Sequence, residues 1–285
     1  MQARRDVLRE RTGVVAERQP VFESLGRRFL DERLLDVVGV LFAQSVKERY
    51  RGSALGVLWS ALSPLGMAVV YAAIFGQTFA RYYDGSVVLY GAAVYIGLTL
   101  IGFFIATTTE CTTVLVRNGG LLNKVRIPFE AFPLASVAAH AFQQLVGSLP
   151  LIVVLSLIMN RNLLHVLLLV VPLAALVMLA AGVGIFVSGV GVYFRDTPHL
   201  YELAVFVLWV TSPVFYPAAI VPARLAHFLV FNPLYAILQT ARDLVLTPSL
   251  PPLWMFALAL GEGAAVLVLG VAGFRLMRSQ LMDLV

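Results

Sequence analysis

The sequence predicts an all-α integral membrane protein with six transmembrane helices, an N-terminal amphipathic interfacial helix and re-entrant external helices between spans five and six. Three observations predict this class: the composition, the long uncharged stretches and the distribution of basic residues. Of the 285 residues, 60% are hydrophobic and 13% are charged, whereas soluble domains contain roughly 45–50% apolar and about 25% charged residues. One soluble core cannot bury so much apolar surface, so the composition indicates a bilayer environment.

Six stretches are long and apolar enough to cross a bilayer, which takes about 20 residues. Their cores are expected at 56–79, 87–109, 133–158, 164–192, 203–219 and 254–275. Residues 225–241 are also uncharged, but this stretch is short and contains Asn232-Pro233. We therefore expect an external segment, 218–250, that is re-entrant or interfacial rather than a seventh span.

The basic residues fix the expected orientation. Seventeen of the 21 Lys and Arg residues fall in the N-terminal tail, the loops after spans two and four, and the C-terminal tail. The positive-inside rule places that side in the cytoplasm, so both termini are predicted to be cytoplasmic.

Three regions divide the chain. Residues 1–29 are expected to form a cytoplasmic arm, 30–53 an amphipathic helix and 54–285 the six-span domain. In the second region Leu30, Leu34, Val37, Leu41 and others recur at helical spacing between charged residues. A helix so close to a span is expected to lie on the inner leaflet, although a helix packed on a partner would show the same pattern.

The chain lacks the motifs of a nucleotide-dependent enzyme. It has no G-x-x-x-x-G-K-[ST] and no Gly-Lys pair, so no phosphate-binding P-loop is expected. Its four histidines are scattered, and no G-x-S-x-G is present. We therefore expect no catalytic residues, no cofactor and no metal on this chain, which would need a partner as its energy source.

Glu262 is the intramembrane carboxylate of the predicted sixth span. A lone carboxylate near the middle of a bilayer is costly, so we consider a pairing or a contact with substrate. A protonated or water-bonded structural glutamate is the alternative.

Five blocks in order resemble one known family. They are ERYRGSALGVLWSALSP (48–64), LLNKVRIPFEAFPLA (121–135), GVYFRDTPHL (191–200), TSPVFYP (211–217) and FNPLYAILQTARDLVL (231–246). Together they resemble the type 2 ABC exporter permeases of the polysaccharide and polyol phosphate export family, with Wzm-, TarG- and KpsM-like transmembrane subunits.

The resemblance implies a homodimeric permease bound to two copies of a separate P-loop ATPase, which would carry ATP and Mg. It places the coupling element in the cytoplasmic loop 113–127, and a plain solvated loop is the alternative. The residues of this loop expected to couple to the ATPase are Arg117, Asn118, Leu121, Leu122, Asn123, Lys124 and Arg126.

The implied substrate is a lipid-linked glycan in a bacterial inner membrane, on an undecaprenyl- or decaprenyl-type diphosphate. Lys47, Arg49 and Arg51 could bind the diphosphate at the cytoplasmic entrance, or they could simply anchor the first span. Aromatic faces suit a sliding sugar chain, although core or lipid-facing packing is the alternative role for each. The candidates for this translocation path are Tyr71, Phe75, Phe103, Phe104, Phe206, Trp209, Phe215 and Tyr216.

Three other functions compete with polysaccharide export. A type 2 ABC permease for a small lipid or drug would share the fold. A membrane-embedded glycan-modifying enzyme would need an acidic or histidine cluster on one membrane face. A scaffold for a synthase complex would leave glycan flipping intact when the chain is deleted.

Overall fold

The computed structural model describes residues 19–50, 56–122, 124, 127–222, 224, 229 and 231–284, with side chains described between Leu34 and Arg278. Within this part of the chain helices alternate with turns, and no β-strand occurs. Residues 1–18 of the expected arm and 51–53 of the expected amphipathic helix lie outside the described residues.

Short helices and long apolar helices are interspersed along the chain. They are α1 (Gln19–Tyr50), α2 (Trp59–Phe79), α3 (Val87–Arg117), α4 (Gly119–Leu122), α5 (Ala131–Gln143), α6 (Leu149–Asn160), α7 (Leu163–Leu168), α8 (Val170–Tyr193), α9 (Thr197–Thr211), α10 (Pro233–Leu246) and α11 (Leu253–Leu284). A π-helical turn, Gln144–Ser148, joins α5 to α6.

Five helical segments of the described chain are long and apolar enough to cross a membrane: Gly56–Tyr82, Val87–Arg117, Ala131–Asn160, Leu163–Tyr193 and Leu253–Arg278. They coincide with the expected spans one, two, three, four and six. A multi-pass membrane protein is therefore confirmed.

The expected fifth span, 203–219, corresponds to the shorter helix α9. Its 15 residues extend about 22 Å at 1.5 Å per residue, which is less than the roughly 30 Å of a bilayer core. The helix ends because Ser212 takes an extended conformation and Pro213 follows it. The six-span count thus stays a prediction.

Helix α3 lies at the centre of the bundle. Its buried side chains include Tyr90, Tyr95, Ile96 and Leu100, each no more than 1% exposed. They form one apolar core with residues of α8 and α10. In contrast, α2 packs on α3 and leaves large apolar side chains such as Val69 and Ile74 exposed. The inner helices are therefore held by protein, and α2 presents an apolar face to its surroundings.

Helices α8 and α11 approach each other through glycine. A Cβ atom on Gly182 would lie 2.6 Å from Cα of Leu267, and one on Gly270 would collide with the carbonyl oxygen of Gly182. Small residues let membrane helices pack backbone against backbone, where dispersion contacts replace the missing hydrophobic drive. This contact fixes the last long helix to the core.

Helix α1 docks on α5. Half-buried residues recur along α1 at Leu34, Val37, Leu41 and Ser45, which is helical spacing, and the ring of Phe42 meets that of Phe142 at 5.8 Å. The helix begins at Gln19, well before the expected start at residue 30. Part of its apolar face is therefore covered by the chain itself.

Candidate translocation path and cytoplasmic coupling site

Eight aromatic rings form a continuous row at the end of the bundle where α2 turns into α3. Consecutive rings of α2, Tyr71, Phe75 and Phe79, stack with centroids 6.0 Å apart at each step. Because these residues are four apart, they lie on one face of the helix. Phe79 then meets Tyr90 at 5.7 Å, and Tyr90 meets Tyr83 at 5.8 Å.

The other end of the row crosses to the segment after α9. Tyr71 stacks on Phe215 at 5.5 Å, Phe215 meets Trp209 at 5.4 Å, and Phe215 meets Tyr216 edge-on at 5.2 Å. The row therefore links α2, the turn after it, the start of α3, the end of α9 and the non-helical stretch that follows. Hereafter these eight residues (Tyr71, Phe75, Phe79, Tyr83, Tyr90, Trp209, Phe215 and Tyr216) are called the aromatic row.

The structure brings together five of the eight aromatic residues expected from the sequence: Tyr71, Phe75, Trp209, Phe215 and Tyr216. Of the remaining three, Phe103 and Phe104 lie in the apolar core, 6% and 3% exposed, and Phe206 is 61% exposed on α9. Sequence reasoning missed Phe79, Tyr83 and Tyr90. The four-residue spacing that continues from Phe75 to Phe79 is the signal that could have identified the first of them.

Arg242 holds the break after α9 in place. Its side chain lies inside the bundle, 4% exposed, and its Nε donates to the carbonyl oxygen of Ala93 at 3.0 Å. The two terminal nitrogens donate to the carbonyl oxygens of Pro213 and Val214. These carbonyls have no helical partner because α9 has already ended, so the guanidinium satisfies them.

Asn232 adds a second tie to the same break. Its amide nitrogen donates to Oγ of Ser212 at 2.9 Å, and its oxygen caps α10 by accepting from Leu234 N at 3.0 Å. The start of α10 is thus bonded to the end of α9. Together with Arg242, this contact fixes a non-helical turn among helices, where buried backbone groups must be satisfied within the protein.

Asp243 does not pair with Arg242. The two residues are adjacent in the sequence, but the carboxylate accepts from Nε2 of Gln239 at 2.8 Å, while Arg242 bonds to carbonyls. Burial raises the pKa of Asp243 to about 6, and the Gln239 hydrogen bond and the Arg242 charge limit that rise. An arginine inside an apolar run is the sequence signal for a buried partner of this kind.

A polar cluster ties α1 to the bundle at the opposite end of α3. Arg49 donates to Oε2 of Glu110 at 2.6 Å, and the same oxygen lies 2.9 Å from Nε2 of His140. Gln143 accepts from Arg49 at 2.9 Å, and Ser136 donates to Oε1 of Glu110 at 3.1 Å. These five residues, the Glu110 cluster, connect α1, α3 and α5.

The residues expected at the diphosphate entrance do not all remain available to bind substrate. Arg49 is 23% exposed and is engaged by Glu110, so its charge is balanced within the chain. Lys47 is exposed on α1, and Arg51 lies outside the described residues. Sequence reasoning did not join Glu110 to Arg49 or His140, because these partners lie 61 and 30 residues away along the chain on other helices.

The expected coupling loop contains a single helical turn, α4, at the end of α3. The side chain of Asn118 donates to the carbonyl oxygen of Val114 at 2.7 Å, and its own carbonyl accepts from Leu121 N at 2.9 Å. Leu122 packs on the core beneath, while Leu121 is 39% exposed. Arg117 and Lys124 are exposed, and Asn123 and Arg126 lie outside the described residues. The turn is therefore rigidly mounted and offers an exposed apolar residue.

Glu262 lies on α11, where it is partly buried. Its Oε2 has no hydrogen-bond partner among the described residues. The pairing considered from the sequence is thus not seen in the described part of the chain. The described residues also contain no group of three or more His, Cys, Asp or Glu that could hold a metal ion.

Five long apolar helices, one of them the central α3, define a multi-pass membrane protein, with a braced non-helical break at one end of α3 and a helical turn at the other. The chain belongs to the ABC-2 type transporter family, whose family model matches residues 36–246. This match confirms the resemblance to type 2 ABC permeases.

Curated relatives cover most of the chain. It is 26% identical over 219 residues to the O-antigen export system permease protein RfbA of Klebsiella pneumoniae, covering 76% of this chain and 83% of that protein. The RfbA permease protein of Myxococcus xanthus is 26% identical over 216 residues, 74% of this chain and 80% of its own. The polysialic acid transport protein KpsM of Escherichia coli is 24% identical over 216 residues, 73% of this chain and 81% of its own. These relatives are transport permeases, not enzymes.

Proposed function

We propose that this chain is the transmembrane subunit of an ABC exporter that moves a lipid-linked polysaccharide from the cytoplasmic side across the bacterial inner membrane. The observation that carries the proposal is the family membership, together with relatives named for O-antigen export and polysialic acid transport over roughly three quarters of the chain. The anchor would be a polyprenyl diphosphate of the undecaprenyl or decaprenyl type.

The aromatic row supports a glycan as substrate. Sugar rings stack their C–H faces on aromatic side chains, which give contact area without a fixed set of hydrogen bonds. Rings spaced 5.2–6.0 Å apart offer overlapping platforms rather than isolated sites. A chain of sugars can therefore slide from one platform to the next without passing a deep energy minimum.

A separate ATPase supplies the energy in this proposal, because the chain has no P-loop sequence. Two copies of the ATPase would act on two copies of the permease. The α4 turn suits the contact, since Asn118 and Leu122 mount it on the bundle while Leu121 stays exposed. A push on a stiffly mounted element moves the helices attached to it, which a solvated loop would not do.

The proposed orientation keeps six spans and both termini in the cytoplasm. In it α9 and the extended stretch after it cross the membrane together, with Arg242 and Asn232 satisfying the backbone where the helix stops. Seventeen of the 21 basic residues then lie on the cytoplasmic side, as the positive-inside rule requires.

The diphosphate entrance is proposed at the C-terminal end of α1, where Lys47 is exposed and Arg51 follows in the sequence. Arg49 would position this region through Glu110 rather than bind substrate itself. Phosphate groups favour such basic sites, because each contact is a charge-assisted hydrogen bond.

A complementation assay tests the function. In a bacterial strain that lacks this gene, we expect the glycan to remain inside the cell on its lipid carrier, and the wild-type chain to restore it to the surface. Replacing Trp209 and Phe215 together by Ala should lower the surface glycan at least about tenfold, because two stacking platforms are lost.

Phe206→Ala is the matched control, since that aromatic residue of the same helix is not part of the aromatic row. Its surface glycan should equal that of the wild type. Normal export by a strain without the gene would overturn the proposed function and would favour a scaffold for a synthase complex.

A further inference from the structure

A cavity of about 280 Å³ lies at the end of the bundle where α2 turns into α3. Four segments line it: the turn Tyr82–Asp84, Leu89 of α3, the stretch Pro217–Ala219, and the end of α10 from Gln239 to Thr247. This end of α3 is opposite to the end that carries α4. Neither the family match nor the residues of the proposed path assign it a role.

The lining residues combine flat rings with hydrogen-bonding groups. Tyr82 and Tyr83 supply the rings, and Asp84, Gln239 and Asp243 supply carboxylate and amide oxygens. The hydrogen bond from Gln239 to Oδ1 of Asp243, at 2.8 Å, orients both side chains and leaves the second carboxylate oxygen able to accept from a hydroxyl. Rings beside convergent acceptors suit a ligand with C–H faces and several hydroxyl groups.

The charge of the cavity selects among such ligands. Asp84 and Asp243 contribute carboxylates, whereas the guanidinium of Arg242, the cation among the lining residues, already donates to the carbonyl oxygens of Ala93, Pro213 and Val214. Arg81, whose guanidinium lies 5.0 Å from the centroid of the Tyr82 ring, is outside the lining. An acidic sugar would therefore bring a further carboxylate beside Asp84 and Asp243 with no free cation among the lining residues to pair it. A neutral sugar meets no such cost.

The cavity also continues the aromatic row. Tyr83 belongs to both, and its ring lies 5.8 Å from that of Tyr90, which in turn lies 5.7 Å from Phe79. Tyr90 is buried, so the half-buried ring of Tyr83 is the point where a sugar chain on the row meets the cavity.

We propose that this cavity is an exit subsite that binds one neutral sugar unit of the glycan, with Tyr83 as its stacking face and Gln239 and Asp243 as its hydroxyl acceptors. The inference rests on the proposed export function for the identity of the glycan. A subsite at the exit would hold the emerging chain and oppose its return into the membrane.

Saturation-transfer NMR on the full chain in lipid nanodiscs tests the subsite. The probes are D-glucose, D-galactose and D-mannose as neutral sugars and N-acetylneuraminic acid as an acidic one. We expect transfer to ring protons of at least one neutral probe and none to the acidic probe. Tyr83→Ala and the double change Gln239→Ala with Asp243→Ala should each weaken binding about tenfold, the value of one good stacking or hydrogen-bonding contact.

Tyr235→Ala on the same helix α10 is the control, because this half-buried tyrosine does not line the cavity. It should bind the neutral probe as the wild type does. A Tyr83→Phe variant keeps the ring and should also bind, which separates stacking from a general loss of folding.

The remaining outcomes distinguish a failure of the subsite from a failure of the proposed export function. Absence of transfer from every probe to a wild-type chain that still restores export in cells would overturn the subsite and leave the proposed function standing. Equal transfer to N-acetylneuraminic acid would overturn the choice of neutral sugars. Binding that depends on Tyr83 and Gln239 in a chain that never restores export would support the subsite and reject the export function.

Discussion

Arg242 illustrates how one buried cation can stabilise an interrupted helix within a membrane protein. Its guanidinium, which carries five N–H donors, donates hydrogen bonds to the carbonyl oxygens of Ala93, Pro213 and Val214. The sequence shows only an Arg-Asp pair at the end of a helical pattern, so a local charge pair was the natural interpretation. The partners come from two segments that lie 28 to 149 residues away, and no local pattern reveals them.

Arg242→Met should destabilise the chain. Methionine fills similar volume without donors, so the carbonyl oxygens it leaves unpaired cost about 1–3 kcal/mol each. The thermal unfolding midpoint in detergent should fall clearly below that of the wild type. Arg195→Met is the control, because Arg195 is exposed in the turn before α9. Equal midpoints for the two variants would contradict the bracing role of Arg242.

The Glu110 cluster was beyond sequence reasoning for a similar reason. Arg49, Glu110 and His140 come from three different helices, and their approach within 2.6–3.2 Å depends on how α1 docks on α5. The basic residue looked available for substrate because only its position before the first span was known.

A double-mutant cycle measures the Arg49–Glu110 contact. Because the pair is partly buried and shares three further hydrogen-bond partners, we expect the coupling energy of Arg49→Ala and Glu110→Ala to exceed about 1 kcal/mol. The Arg278–Glu130 pair serves as the reference cycle and should give less, because its contact is longer, at 3.2 Å, and its arginine is 45% exposed against 23% for Arg49. Chemical unfolding of the four variants in each cycle provides the energies. Equal coupling energies in the two cycles would contradict the role of Glu110 in holding α1 on the bundle.

At the level of the helices, long apolar runs were predictable and short ones were not. Spans one, two, three, four and six appear where the sequence placed them, because the number of apolar residues needed to cross a bilayer leaves little choice. The fifth ended early at Thr211, since Pro213 and Pro217 interrupt the pattern and Arg242 stabilises the interruption. Its outer boundary was set by tertiary contacts, which the apolar pattern does not contain.

The contact between α8 and α11 allows a sharp test of packing. Gly270→Ala puts a methyl group into the carbonyl oxygen of Gly182, so the two helices must separate. We expect a loss of about 1–3 kcal/mol of stability, as for other overpacked contacts. Gly261→Ala on the same helix is the control, because a Cβ there meets nothing within 4 Å, and it should be neutral or slightly stabilising. Both midpoints can be read in one thermal-shift series, and equal losses would contradict the packing described.

The exposed Leu121 of the α4 turn allows a test of the proposed contact with the ATPase. Leu121→Asp replaces an exposed apolar side chain by a charge, so the fold should persist while contact with the ATPase weakens. ATP hydrolysis by the co-purified complex should lose most of its stimulation by lipid-linked glycan. Arg195→Ala, in the exposed turn before α9, should leave that stimulation unchanged. A Leu121→Asp complex with normal stimulation would place the coupling contact elsewhere.

At the scale of the whole molecule, the chain is a transport body that carries no P-loop of its own. The charge asymmetry and the apolar surface of α2 suit a membrane, and the turn at the end of α3 suits the contact with an ATPase in the proposed function. The sequence predicted the membrane and the ATPase from composition and from the family blocks. It could not predict the end of the bundle that carries the aromatic row, because the row and its bracing arise from contacts between distant segments.

Native mass spectrometry of the tagged chain, purified in mild detergent from its own membrane, tests the central claim most directly. We expect a complex that contains two copies of the 31.0 kDa chain and two copies of a protein with a P-loop sequence, with lipid-linked glycan released on activation. A folded chain that emerges without any ATPase in every detergent tried would contradict the exporter assignment.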